Sequence, residues 1–293
     1  MRILQLGDTH LGAALRALGP PGWSRAHDHH AALEAALQPA LRGEVDLVLH
    51  TGDVFDRSRP PRRWVEAAGE LLLQVAERVP VVGIAGNHDR RGIRRWLPHP
   101  QLTFVDQPTR VVVGDVAVGL VPYCRTPEAF TRAARLAAGP GVDLLAMHQA
   151  PHGSRVPGLT FVAGVHGGTV GAEHLPTGVQ HVACGHIHPR QVVPLGEATV
   201  VCGGSTERTA FSEARETKGT VQWDFGREVT HRFVDHATRP MADVWGGLLR
   251  CSVEEAEGVR KRGRVAAIRG ERGFVPRRQP PMGGLFAAPG RGQ

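Results

Sequence analysis

Five clusters of metal-capable side chains punctuate this chain, and each follows a short apolar run. Asp8 and His10 follow residues 2–7, Asp53 follows 46–50, Asn87 and His88 follow 80–85, His148 follows 142–147, and His186 and His188 follow 182–184. In one-letter form they read DTH, GDVFD, GNHD, a lone H and GHIH. The donors are two carboxylates, one carboxamide and several imidazoles, with no thiolate. That mixture suits manganese, iron, cobalt or zinc better than calcium or magnesium, which prefer cages of oxygen alone. Two divalent ions would bring four positive charges, of which two carboxylates and one shared hydroxide cancel about three. A phosphodiester, with one negative charge, neutralises the remainder. Two metals about 3.5–4 Å apart can share a hydroxide nucleophile, polarise phosphoryl oxygens and hold the attacking and leaving oxygens in line. Phosphoester hydrolysis is the reaction this set fits.

Groups so far apart in sequence need a scaffold that gathers them. Short continuous apolar runs separated by helical stretches read as buried strands of a mostly parallel sheet with crossover helices. In open sheets of that kind, functional side chains collect beyond the carboxyl ends of the strands. All five clusters stand at such ends. Gly7, Gly52, Gly86 and Gly185 directly precede four of them, and their expected role is to permit the tight turn that aims the next side chain over the sheet edge. The pattern predicts strands near 2–7, 46–50, 81–85, 102–105, 110–114, 116–121, 142–147, 181–184, 190–194, 198–202, 219–224 and 228–234. Helices are predicted near 27–42, 62–78, 92–97 and 127–138, and an irregular Gly/His-rich stretch over 150–178. Alternation of strand and helix thus gives way to successive strands, which suits two sheets packed face to face with helices outside.

Taken in order, the five motifs resemble those of the calcineurin-like metallophosphoesterase superfamily, over roughly residues 1–235. Within it, DTHLG, GDVFDRSRPP, GNHDRRG and GGSTERTAFSEARETKG resemble the bacterial SbcD-type double-strand-break repair nucleases. The resemblance implies an α/β fold, a four-layer α/β/β/α sandwich of two mixed sheets over residues 1–240. It implies two divalent ions, manganese foremost, with Asp8, His10, Asp53 and His188 at one. Asp53 bridges to the other, which Asn87, His148 and His186 complete. His88 would stand outside both, stabilising the pentacovalent phosphoryl group or delivering a proton to the leaving oxygen. The implied activity is a DNA exo- or endonuclease of the repair type, with DNA and an SbcC-like ATPase as partners. The alternative is a phosphatase or phosphodiesterase for small molecules or cyclic nucleotides with the same dimetal chemistry. Some relatives resemble GDLFH where this chain has GDVFD, so Asp56 is expected to fix its loop or pair with Arg57 or Arg59.

Charge is unevenly distributed. The chain of 293 residues carries a formal +7, and from Met241 onward ten Arg and Lys face five acids. This Gly/Pro/Arg-rich stretch, 241–293, is expected to be mostly disordered, with one short helix beginning near Ser252. It could attract phosphate backbones without regard to sequence, although two lysines in all and an abundance of Arg, Ala, Gly and Pro also fit a GC-rich genome. Arg57 and Arg59, near the metal edge, are better placed to touch a substrate phosphate. His27, His29 and His30 open an Ala/Leu-rich helix whose spacing splays them around its axis, so no metal cluster is expected there. His50 is expected to be a packed residue or one that orients the ligands from behind. The four cysteines form no CxxC pair, which argues against a structural zinc site or disulfide framework. An N-terminus running straight into a strand, without an apolar run of membrane length, sets the expectation of a cytoplasmic protein with no membrane partner.

Overall fold

The computed structural model describes residues 1–14, 25–89, 92–139, 141–156, 168–243 and 250–252. Two six-stranded sheets form its body. In the first, β1 (Arg2–Leu6), β2 (Leu47–His50), β3 (Val81–Ile84) and β4 (Leu102–Val105) run parallel. The second is built on β6 (Val116–Val121), β7 (Leu144–His148), β10 (His181–Gly185) and β12 (Ala198–Cys202), also parallel, with β5 (Thr109–Val113) and β11 (Gln191–Leu195) as antiparallel edges. Beyond β1 the first sheet adds β13 (Gly219–Phe225) and β14 (Val229–Asp235), both antiparallel to their neighbours. Helices α1 (Arg25–Leu41) and α2 (Arg62–Ala76) pack with the first sheet, α3 (Ile93–Trp96) contacts β4, and α4 (Pro127–Ala138) packs on the second sheet. The four-layer sandwich is therefore present, with strand and helix bounds close to those the apolar runs predict.

Alternation along each strand explains the layering, because successive side chains point to opposite faces. Ile3, Leu47, Leu49, Leu144, Ala146 and Ala183 join one core between the sheets. Their neighbours Leu4, Leu6 and Val48 join a second core against α1 and α2, while Leu145, Met147 and Val182 join a third under α4. Thr126 caps α4, its hydroxyl accepting from the Ala129 N–H at 3.2 Å. Phe130, Ala133, Ala134 and Ala137 then form the buried stripe of that helix.

A polar side chain interrupts the inter-sheet core. Gln5, fully buried on β1, donates from Nε2 to the carbonyls of Cys184 (3.2 Å) and Val201 (3.1 Å) on the opposite sheet, and its Oε1 accepts from Trp223 Nε1 at 2.7 Å. Gln5→Leu would fill the same space and leave the buried indole N–H without an acceptor. The expected cost is about 1–3 kcal/mol, read as a lower urea midpoint at unchanged m-value.

The remaining described elements are short. β8 (Ala150–Pro151) pairs with β9 (Thr169–Val170), inside the stretch expected to be irregular. β15 (Met241–Asp243) and β16 (Arg250–Ser252) form a second two-stranded pair, where the sequence predicts only a disordered tail with a helix. Backbone pairing satisfies the polar groups of such segments without an apolar face, so the apolar density used to judge the tail did not register them. The predicted helix beyond Ser252, and the rest of the basic stretch, lie outside the described residues. By its contacts the chain divides into Met1–Met241 and Ala242–Gln293. No described helix is long and apolar enough to cross a membrane.

Candidate metal centre

The loops after β1, β2, β3, β7 and β10 meet at the carboxyl edge between the two sheets. Backbone pairing zips the first two together: Asp8 N–H donates to the Gly52 carbonyl (2.9 Å), His10 N–H to that of Asp53 (3.1 Å) and Leu11 N–H to that of Val54 (2.9 Å). Asp89 ties in the third. Its buried carboxylate accepts from the N–H groups of Gly86 (2.8 Å), Val54 (2.6 Å) and Phe55 (3.3 Å). His148 is the last residue of β7 and shares the parity of Leu144 and Ala146, so it faces the gap between the sheets. His50 has the opposite parity to Leu49 and is buried against Thr9 and Phe104, the packed role expected of it.

Within this edge the seven expected ligands converge. His148 Nε2 lies 3.2 Å from Asp53 Oδ2, 3.0 Å from Asn87 Oδ1 and 3.9 Å from Asp8 Oδ1. His186 Nδ1 lies 2.8 Å from the same Asn87 oxygen. On the other side His10 Nε2 faces His188 Nε2 at 3.2 Å and Asp53 Oδ2 at 3.9 Å. Asp8, His10 and His188 form one set of candidate ligand atoms, and Asp8, Asp53 and His148 another. Asp8, His10, Asp53 and His148 make a buried floor, while Asn87, His88, His186 and His188 are half-buried around it. The His88 ring stands edge-on to His10 with centroids 4.8 Å apart. The His88 backbone N–H donates to Asp53 Oδ1 (2.8 Å), and the ring Nδ1 meets the Asp56 carbonyl at 2.6 Å. Asp56 also lies 3.6 Å from the Arg57 guanidinium, the pairing anticipated for it. Arg59 is exposed on the same loop.

Backbone conformation singles out four of these residues. Among the described residues, the non-glycine positions with positive φ are Asp8 (49°), His10 (44°), Asp53 (54°) and His186 (77°). Such conformations are uncommon for residues with a Cβ and persist where the surroundings over-determine them, typically at functional sites. This corrects the reading of the preceding glycines. Only Gly52 of the four has a positive φ, at 102°. Gly86 is required for room instead, since a Cβ there would collide with the Asp53 carboxylate.

Electrostatics at this edge favour positive charge. Burial pushes the Asp8 carboxyl up to about 6, against the opposing pull of His148 and His188. Burial, reinforced by the nearby Asp53 charge, pushes Asp89 up to about 7. For His148 burial alone would favour the neutral ring, yet Asp53 outweighs it and holds the imidazole up to about 10. Burial and the charge of His148 press His186 down to about 3. Two buried carboxylates that draw a neighbouring imidazole toward its cationic form favour positive charge between them, which a metal cation would supply. Among the described residues His10 Nδ1 is buried without a hydrogen-bond partner, while Nε2 of His10 and of His188 confront each other across 3.2 Å. Mixed nitrogen and oxygen donors at these separations fit divalent cations.

Comparison with known proteins agrees. A family model described as calcineurin-like phosphoesterase matches residues 1–190. The chain belongs to that family. Two relatives named DNA double-strand break repair protein Mre11 share 30% identity with it in Methanosarcina mazei (73% of this chain, 34% of the relative) and 24% in Methanococcus maripaludis (74% and 60%). A Bacillus subtilis relative, named as one subunit of the nuclease SbcCD, is 27% identical over 78% of this chain and 68% of its own length. The chain therefore spans less than two thirds of the two archaeal relatives. The calcineurin-like fold implies two divalent cations, and the groups gathered at this edge suit them.

Three residues near the centre were not singled out from sequence. Asp89 is the last letter of GNHD, a visible signal whose role needed the positions of Val54 and Phe55. Glu213 accepts from His188 Nδ1 at 2.9 Å, and lies in the SEARETKG stretch. Tyr123, the only tyrosine, is half-buried with its ring 5.9 Å from that of His186 and 6.2 Å from that of His148. Its position directly after β6 and Pro122, at the same sheet edge, was the available clue.

Proposed function

We propose that residues 1–240 form a dimetal phosphodiesterase domain that cuts DNA, with manganese as the working metal and residues 241–293 as a basic extension. The observation that carries this reading is the convergence of Asp8, His10, Asn87, His148, His186 and His188 around one carboxylate, Asp53. Asp8, His10, Asp53 and His188 would hold one cation; Asp53, Asn87, His148 and His186 would hold the other. When bound, such a pair supplies Lewis acidity toward phosphoryl oxygens and an activated water at neutral pH. The chain's own residues do the rest. Asp89 keeps the Asp53 and Asn87 turns in register through its three accepted hydrogen bonds. Hydrolysis also needs a proton at the leaving oxygen, and His88 is the candidate donor. A carbonyl only accepts, so the Asp56 carbonyl holds the Nδ1 proton and leaves Nε2 as the nitrogen that exchanges one with the substrate.

Relatives named for double-strand break repair and as part of a nuclease support DNA as the substrate and an SbcC-like ATPase as a partner. Arg57 and Arg59 would meet the phosphate backbone, Arg57 being the residue after the Asp56 carbonyl that anchors His88. The testing experiment compares double-stranded DNA, single-stranded DNA, cyclic nucleotides and an aryl phosphodiester, each with Mn2+. DNA turned over far faster than the small esters supports the reading; rapid cyclic-nucleotide turnover with inert DNA contradicts it. In the same panel, the Arg57→Ala/Arg59→Ala double variant should bind DNA less tightly, with a log–log salt dependence shallower by about 1–2. Its turnover of the aryl ester should be unchanged.

A further inference from the structure

Behind His188 lies a buried polar assembly that, among the described residues, has no counterpart behind the other imidazoles of the centre. His188 Nδ1 meets Glu213 Oε1 at 2.9 Å and Thr209 Oγ1 at 3.0 Å, while the Thr209 hydroxyl itself donates to Glu213 Oε1 at 2.6 Å. Lys218, 2% exposed, completes the assembly. Its Nζ donates to Glu213 Oε2 (2.6 Å), to Ser205 Oγ (2.7 Å) and to the backbone carbonyl of His188 (3.2 Å). One ion pair thus grips both the ring and the main chain of the same histidine. Elsewhere the support is weaker. Among the described residues, His148 Nδ1 meets a backbone carbonyl, that of Thr51 at 2.7 Å; His186 Nδ1 faces Asn87; and His10 Nδ1 has no partner.

We infer that Glu213, held by Lys218, Ser205 and Thr209, is a positioning residue that fixes the tautomer and ring plane of His188 and so selectively supports the cation position formed by Asp8, His10, Asp53 and His188. The inference rests on the two-cation reading above. An ionised carboxylate only accepts, and the Thr209 hydroxyl spends its proton on that carboxylate, so His188 Nδ1 must carry hydrogen. In the neutral ring Nε2, the atom turned toward His10, is then a bare lone pair. A carboxylate behind a ligating imidazole also makes it a better donor, and loss of such a partner costs about 10–100-fold in metal affinity. Lys218 makes the arrangement tolerable, since a buried carboxylate without a paired cation would be heavily penalised.

The test is a calorimetric titration of the metal-free full chain with Mn2+, for wild type, Glu213→Gln and the double variant Glu213→Gln/Lys218→Met. The double variant removes the uncompensated lysine should the single one fold poorly, and the melting temperature of each metal-free protein is measured alongside. Wild type should take up two Mn2+. In both variants one site should weaken by about 10–100-fold while the other stays within about twofold. Two sites of unchanged affinity in a folded variant overturn the inference, as does equal weakening of both, which a general structural role would produce. A wild type that binds no pair of Mn2+ instead overturns the two-cation reading, and this inference with it.

Discussion

Asp53→Asn should lower phosphodiester turnover by about 10³-fold or more at saturating Mn2+ while leaving the protein folded. The carboxylate is central to both proposed cation positions, with His148 Nε2 at 3.2 Å and His10 Nε2 at 3.9 Å from the same oxygen, Oδ2. Burial alone would raise its pKa, but His148, His10 and His88 hold it well below the usual carboxylate range, which favours the ionised form. Asparagine preserves the shape and keeps a carbonyl oxygen for the His88 N–H that Oδ1 now accepts at 2.8 Å. It removes the negative charge two cations would share. Metal-ion catalysis is worth several kcal/mol, and each 1.36 kcal/mol is tenfold in rate. The check is kcat with a parallel Mn2+ titration: the variant should lose turnover and one or both high-affinity sites together. Wild-type kcat at saturating Mn2+ would remove Asp53 from its bridging role.

His88→Ala should separate proton delivery from metal binding. Its half-buried ring stands against His10, yet its polar contacts are the Asp56 carbonyl and, through the backbone, Asp53. Loss of the imidazole should therefore leave Mn2+ affinity within about twofold. General acid catalysis contributes typically 10²–10⁴-fold, so DNA cleavage, which expels a poorly stabilised alkoxide, should fall by about that factor. A nitrophenyl phosphodiester expels an anion that needs no proton, and its hydrolysis should fall by less than about tenfold. Equal losses on both substrates would assign His88 to stabilising the pentacovalent phosphoryl group instead. A large loss of Mn2+ affinity would make it a ligand, as its proximity to His10 and Asp56 permits.

Strands and site were legible in this sequence for a common reason. Buried parallel strands are short unbroken apolar runs, so β1, β2, β3, β7 and β10 announced themselves, and a polar residue just past each run had to lie at the sheet edge. Once the strands are placed, parity accounts for two more residues: His148 continues the inward series of Leu144 and Ala146, whereas His50 continues the outward series of Val48. Less visible was anything that depends on which loops touch. Asp89 bonds to Val54 and Phe55, more than thirty residues earlier, and no local pattern announces that pairing. Glu213 reaches His188 from a single 3-10 turn 25 residues away, beyond β11 and β12. The glycines were read as turn formers, yet at Gly86 the constraint is the space claimed by Asp53, which only the assembled edge reveals.

Anomalous diffraction from crystals grown with Mn2+ tests the central claim most directly. Two peaks about 3.5–4 Å apart are expected, both within coordination distance of Asp53. One should also touch Asp8, His10 and His188, and the other Asn87, His148 and His186. A single peak, or peaks away from the Asp53 carboxylate, would contradict the account.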